Sequence, residues 1–167
     1  PFAVTLNAAP AATSVGGAAV RITAMVVDAF GDPVSDGIAV YFATDLGGLS
    51  APSALTLNGR AETLLTPGTQ AGDAHISAQA GNVEGRLTVP ILAGPAATLA
   101  LSAQPAELTA GYNQIARLTA TAADQYGNPV ADGTPIFFSV KSIAFDEDRA
   151  DDGNIDCWNA PGQLAIN

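Results

Sequence analysis

The chain repeats itself, and that limits what it can fold into more than any other feature. Residues 28–37 read Asp-Ala-Phe-Gly-Asp-Pro-Val-Ser-Asp-Gly, and residues 124–133 read Asp-Gln-Tyr-Gly-Asn-Pro-Val-Ala-Asp-Gly, an offset of 96. Between Arg21 and Thr44, ten of twenty-four positions are identical to their partners 96 residues on. Upstream, Val4, Leu6 and Pro10 align with Leu99, Leu101 and Pro105 at an offset of 95, so a one-residue gap falls around Tyr112. Solenoid repeats have periods of about 20–50 residues. A period of 96 instead suits one whole β-sandwich per copy.

The local patterns agree. Val20, Ile22, Ala24 and Val26 alternate with Arg21, Thr23, Met25 and Val27, the period of two that a half-buried strand needs. Ala116, Leu118, Ala120 and Ala122 repeat it around Arg117 and Thr119. Gly31-Asp-Pro33 and Gly127-Asn-Pro129 break the chain, and Asp36-Gly37 and Asp132-Gly133 break it again. Return strands are expected over 38–43 and 134–140. Adjacent strand residues face opposite ways, so one ring of Tyr41-Phe42 and one of Phe137-Phe138 should point into a core. Further runs around Leu55, Ala61 to Leu64, Ala74 to Ala78 and Val83 to Leu92 bring the first copy to about seven strands. Two packed antiparallel sheets are built this way, and helical spacing is nowhere sustained.

These residues resemble the bacterial immunoglobulin-like (Big-1 type) repeat of intimin and invasin type surface adhesins. The first copy carries Asp28, Gly31-Asp-Pro-Val34, Gly37, Val40-Tyr-Phe42, Thr56-Leu-Asn-Gly59-Arg-Ala61, Leu64-Leu-Thr66 and Gly72-Asp-Ala-His-Ile76-Ser-Ala78 in the family's order and spacing. The second follows only through Val140. The resemblance implies an all-β fold of tandem immunoglobulin-like antiparallel sandwiches. We expect a complete domain at 1–93 and a second at 94–167, cut short after about three strands and carrying an acidic insertion at 143–159. It also implies a stalk, with neighbouring immunoglobulin-like repeats in the same chain as partners and an extracellular or bacterial cell-surface location.

Composition excludes other classes. Sixteen acids face six bases, a net charge of −10, and the bases are scattered singly. Neither nucleic acid nor an anionic membrane surface suits such a chain. No apolar run reaches the length of about eighteen residues that a spanning helix needs, so this segment is not expected to insert in a membrane. The residues from Pro1 on do not follow the basic-then-apolar pattern of a secretory leader, and the chain is expected to be a piece of a longer one. Its single cysteine, Cys157 beside Trp158, is left as a buried residue, a thiol or half of a disulfide formed elsewhere.

One segment looks like a metal loop. Six of the sixteen acids lie between Asp146 and Asp156. Calcium takes several oxygen ligands, which alternating acids before a glycine turn supply. With Asp148 first, Asp152 falls fifth, Gly153 sixth and Asp156 ninth, as in an EF-hand, although Ala150 third and Asn159 twelfth break the pattern. Asp146, Asp148, Asp152 and Asp156 are the candidate calcium ligands, and the alternative is a solvated acidic loop. Asp28 and Asp124, at matching strand ends, are expected to bond backbone amides of their own turns. His75, the sole histidine, sits on an alternating strand and should face solvent or a sheet edge. It has no cysteine nearby for a zinc site and no counterpart in the second copy for nucleophilic catalysis.

The sequence therefore points to a spacer or adhesion module of a large bacterial surface or secreted protein, without catalysis and with no certain cofactor. Two alternatives remain: a subunit of an extracellular filament joined by strand exchange with another chain, and a non-catalytic module of a secreted enzyme.

Overall fold

The computed structural model describes residues 1–108 and 115–139. Two compact units divide the chain, Pro1–Asp132 and Gly133–Asn167. The first opens with a sandwich of two sheets. One has the order β1 (Ala3–Ala9), β3 (Val20–Val27), β7 (Arg60–Thr66), β5 (Gly48–Leu49). The other runs β2 (Thr13–Ser14), β9 (Val83–Leu92), β8 (Gly72–Ala80), β4 (Ala39–Thr44), β6 (Ser53–Leu55). All pairings are antiparallel except β2 with β9, where Thr13 lies opposite Ile91 in a parallel ladder. Among the described residues no helix forms.

The alternation read from the sequence sets which side chains meet. β3 buries Val20, Ile22, Ala24 and Val26 and turns its other residues outward. They pack with Ala61 and Leu65 of β7, Val40 and Phe42 of β4, Ala74, Ile76, Ala78 and Ala80 of β8, and Val89 and Ile91 of β9. Phe42 is the buried member of its aromatic pair, and Tyr41 is exposed. Buried hydroxyls inside this core are hydrogen-bonded, as desolvation requires. Thr56 Oγ1 donates to Ser35 O at 2.9 Å and accepts from Ile38 N–H at 2.9 Å. Thr63 Oγ1 donates to Ala51 O at 2.9 Å.

The Asn-Gly of the first copy makes the tight turn that carries the chain from β6 in one sheet to β7 in the other. Asn58 and Gly59 both adopt positive φ, 51° and 72°, and Leu57 and Arg60 exchange backbone hydrogen bonds of 2.8 and 3.1 Å across them. Two residues of left-handed backbone match the twist of the flanking strands. Asp36 Oδ1 accepts the Asn58 N–H and ties this turn to the β3–β4 loop.

Beyond Leu92 the pattern restarts. β10 (Thr98–Gln104) pairs antiparallel with β11 (Arg117–Ala123) as a two-stranded sheet. Its register, Thr98 opposite Ala123 through Gln104 opposite Arg117, repeats that of β1 on β3. The expected return strand at 134–140 does not form over 134–139, which carry no ladder. A strand exists only with a partner. β4 is held by β6 and β8, and no described residue stands in for either of them beside residues 134–139.

Candidate functional site: the junction between the copies

Asp28 and Asp124 organise matching turns. Asp28 Oδ1 accepts the N–H groups of Phe30 at 2.9 Å and Asp32 at 3.1 Å. Asp124 Oδ1 accepts those of Tyr126 at 2.8 Å and Asn128 at 2.9 Å. Backbone bonds close both loops alike, Asp28 N–H to Asp32 O and Asp124 N–H to Asn128 O, each 2.9 Å. Each proline then bridges back to the strand, Pro33 to Val27 and Pro129 to Ala123. The aspartates bond their own turns, as the sequence implied.

The second copy adds a layer that the first lacks. Asp124 is 1% exposed, and its second oxygen, Oδ2, accepts the N–H of Gly94 at 2.9 Å. Gly94 belongs to the link that follows β9. Asn128 completes the joint with both ends of its amide. Its Nδ2 donates to Asp124 Oδ2 at 2.9 Å and to Thr69 O at 2.8 Å. Its Oδ1 accepts the Ala71 N–H at 2.9 Å. Thr69 and Ala71 lie in the β7–β8 loop, so one side chain spans the two repeats.

Tyr126 closes the other side. A Cβ on Gly16 would stand 3.2 Å from the Tyr126 hydroxyl oxygen, and Gly16 has φ +64°. A glycine there satisfies both the left-handed backbone and the approach of the ring.

The electrostatics follow from these bonds. Burial alone would push the Asp124 carboxyl up. Hydrogen bonds from the Asn128 side chain and the amides of Gly94, Asn128 and Tyr126 outweigh it and lower it to about 2. The carboxylate is therefore charged at neutral pH, with both oxygens bonded.

His75 does face solvent, as expected, and is paired. Its Nδ1 lies 2.7 Å from Asp45 Oδ2, and its backbone N–H donates to Asp45 Oδ1 at 2.7 Å. That backbone bond first, and the ring second, hold Asp45 below the usual carboxylate range. Asp146, Asp148, Asp152 and Asp156, together with Cys157, lie outside the described residues. Among the described residues no three His, Cys, Asp or Glu side chains group as a metal site would need.

The sequence signalled the turns but not the joint. Nothing in the alternation of β7 and β8 marks Thr69 and Ala71, which bond through backbone atoms. The available signal was one of three differences between the matched turns, the exchange of Asp32 for Asn128. It replaces a group that only accepts with one that also donates.

Two largely antiparallel sheets enclosing an alternating core, followed by a strand pair in the same register, define immunoglobulin-like modules in tandem. Comparison with solved structures gives the same class. The crystal structure of invasin, a bacterial integrin-binding protein, matches 77% of this chain and 28% of its own, at 23% identity and a TM-score of 0.60. InvD of Yersinia pseudotuberculosis matches 77% of this chain and 39% of its own, at 27% identity and a TM-score of 0.59. The D0-D1 domain of intimin is 30% identical over 52% of this chain and 43% of its own, with a TM-score of 0.41. No protein-family profile and no curated protein matches the sequence. The chain spans less than half the length of each of these three structures. Its β-sandwich modules are similar in fold to those of invasin and InvD, as the motifs implied.

Proposed function

We propose that the chain is a spacer or adhesion module of a bacterial cell-surface or secreted protein, acting without catalysis to hold successive repeats in fixed relation. The observation that carries this reading is the joint at Asp124 and Asn128. A flexible linker would leave the two copies to reorient by default. Here a buried carboxylate and a carboxamide bond the link and a loop of the preceding copy instead. The domain limits we propose are 1–93 and 94–167, with Asp146, Asp148, Asp152 and Asp156 as calcium ligands in the second. Backbone ¹⁵N relaxation tests the reading. The two copies should tumble as one body, and separate correlation times for them would overturn it. Isothermal calorimetry with calcium tests the loop, and the absence of heat would remove that part.

Assembly by strand exchange is a second reading with its own observation. Leu99 and Leu101 are 60% and 62% exposed, whereas their counterparts Val4 and Leu6 pack against the core. Apolar residues exposed on a sheet face invite another chain. Size-exclusion chromatography yielding monomer at every concentration would sink it.

A further inference from the structure

We propose that Asn58 is a self-modifying site. In the folded protein it loses its side-chain amide to the backbone nitrogen of Gly59, and the acid that remains unfastens the turn between β6 and β7. The proposal does not rest on the spacer reading. Asn58 is the only asparagine in the chain followed by glycine. Asn7 and Asn82 precede residues with side chains, and Asn128 precedes Pro129, whose nitrogen has no hydrogen to lose.

The fold itself installs this pair. Position 58 has φ 51°, and it is the one non-glycine with positive φ among the described residues. Asparagine tolerates that conformation better than most residues. Position 59 has φ 72°, and a Cβ there would stand 2.7 Å from the Pro33 Cβ, so glycine is required. The same missing side chain leaves nothing to screen the Gly59 nitrogen from the neighbouring Asn58 Cγ. Both reacting groups are also free. Asn58 is exposed, and neither its carboxamide nor the Gly59 N–H has a hydrogen-bond partner among the described residues. Asn128, by contrast, bonds both ends of its amide. Gly59 is buried against Pro33 and the Val26 carbonyl, but the nucleophile is already held beside its target and needs no second reactant except water and hydroxide.

The reaction balances with water alone. Hydroxide removes the Gly59 amide proton, and the nitrogen attacks Asn58 Cγ. A cyclic imide closes as the Cγ–Nδ2 bond breaks, and ammonia leaves with a proton from water, which restores the hydroxide. Water then adds to one imide carbonyl and breaks its bond to nitrogen. Opening at the side-chain carbonyl gives aspartate. Opening at the main-chain carbonyl gives isoaspartate, in which the backbone runs through the former side chain. Either product sets a carboxylate near Asp36, whose Oδ1 accepts the Asn58 N–H at 2.6 Å, and like charges repel. Isoaspartate also lengthens the turn by a methylene, which displaces Leu57 from Arg60 and breaks their backbone bonds of 2.8 and 3.1 Å.

Ageing the whole folded chain in mildly alkaline buffer tests this. Peptide mapping and isoaspartyl methyltransferase labelling identify the product, and ion exchange reads its charge. The expected result is conversion at Asn58 ahead of every other asparagine, mainly to isoaspartate. The aged form should elute with one negative charge more than the −10 of the chain and should melt at a lower temperature. Asn58→Gly keeps the left-handed backbone without the amide and should abolish the charge shift. A parallel sample in urea measures the same pair without the fold. Conversion in urea but none in the folded chain would overturn the proposal, because the turn would then protect Asn58. A charge shift that persists in Asn58→Gly would overturn it too, and an unchanged melting temperature after conversion would overturn the unfastening of the turn.

Discussion

Asn128 Nδ2 lies 2.9 Å from Asp124 Oδ2 and 2.8 Å from Thr69 O, so one carboxamide bonds a buried carboxylate and the backbone of the other repeat together. The matched loop of the first copy has Asp32 at this position and makes the turn without the bridge. The turn is thus the common element, and the bridge is an addition to it.

Replacing Asn128 tests that addition. Asn128→Asp removes the donor and sets a second carboxylate against Asp124, while the backbone turn bonds remain. A lost hydrogen bond that leaves buried groups unsatisfied costs about 1–3 kcal/mol. Denaturant unfolding should show a loss of that order. Asn128→Asp should also give the two copies separate correlation times, whereas Asp32→Asn in the first copy should leave stability nearly unchanged.

Acid should weaken the joint. The Asp124 carboxyl sits at about 2 in the fold, against 3.8 for an unperturbed aspartate. A depressed folded value means that the carboxylate stabilises the fold fully above the unfolded value and loses that contribution as pH falls through the folded one. Stability should therefore decline between about pH 4 and pH 2 from this group. The Asp124→Asn variant should be less stable at neutral pH and should lose this part of the acid dependence. Thermal melts of both proteins across that range measure it.

The sandwich was largely legible in the sequence because its information is periodic. Alternation at Val20 to Val27 marked the buried face of β3, and Gly31-Asp-Pro33 with Asp36-Gly37 marked the break before β4. What stayed hidden depends on atoms that carry no side-chain signature. The Gly94 amide, the Thr69 carbonyl and the Ala71 amide are present at every residue and become a site only when the fold brings them beside Asp124 and Asn128. The expected strand at 134–140 does not form over residues 134–139 for a related reason: its apolar pattern describes one strand, but a ladder needs two.

Thr63 offers a test inside the core. Its hydroxyl donates to Ala51 O at 2.9 Å and accepts from the Ala51 N–H at 3.3 Å, fastening the β5–β6 loop to β7. Thr63→Val keeps the shape and removes both bonds, leaving two backbone groups of Ala51 without that partner. The expected cost is about 1–3 kcal/mol in denaturant unfolding. Ile76→Ala at the centre of the same core removes apolar volume instead and should cost about 2–5 kcal/mol.

Two glycines separate backbone strain from collision. Gly37 and Gly59 both have positive φ, 88° and 72°. A Cβ on Gly37 would meet nothing within 4 Å, whereas one on Gly59 would stand 2.7 Å from the Pro33 Cβ and 3.0 Å from Val26 O. Left-handed backbone costs a non-glycine residue about 1–2 kcal/mol. Gly37→Ala should show that cost alone. Gly59→Ala should show it together with displacement of the turn from Pro33, since the added Cβ would collide with Pro33 at the start of the β3–β4 loop and with the Val26 carbonyl of β3. Denaturant unfolding should rank Gly59→Ala as the more damaging, with amide shifts moving at Val26, Pro33-adjacent Val34 and Asn58. Equal losses for the two variants would mean that the approach of Pro33 does not constrain the turn.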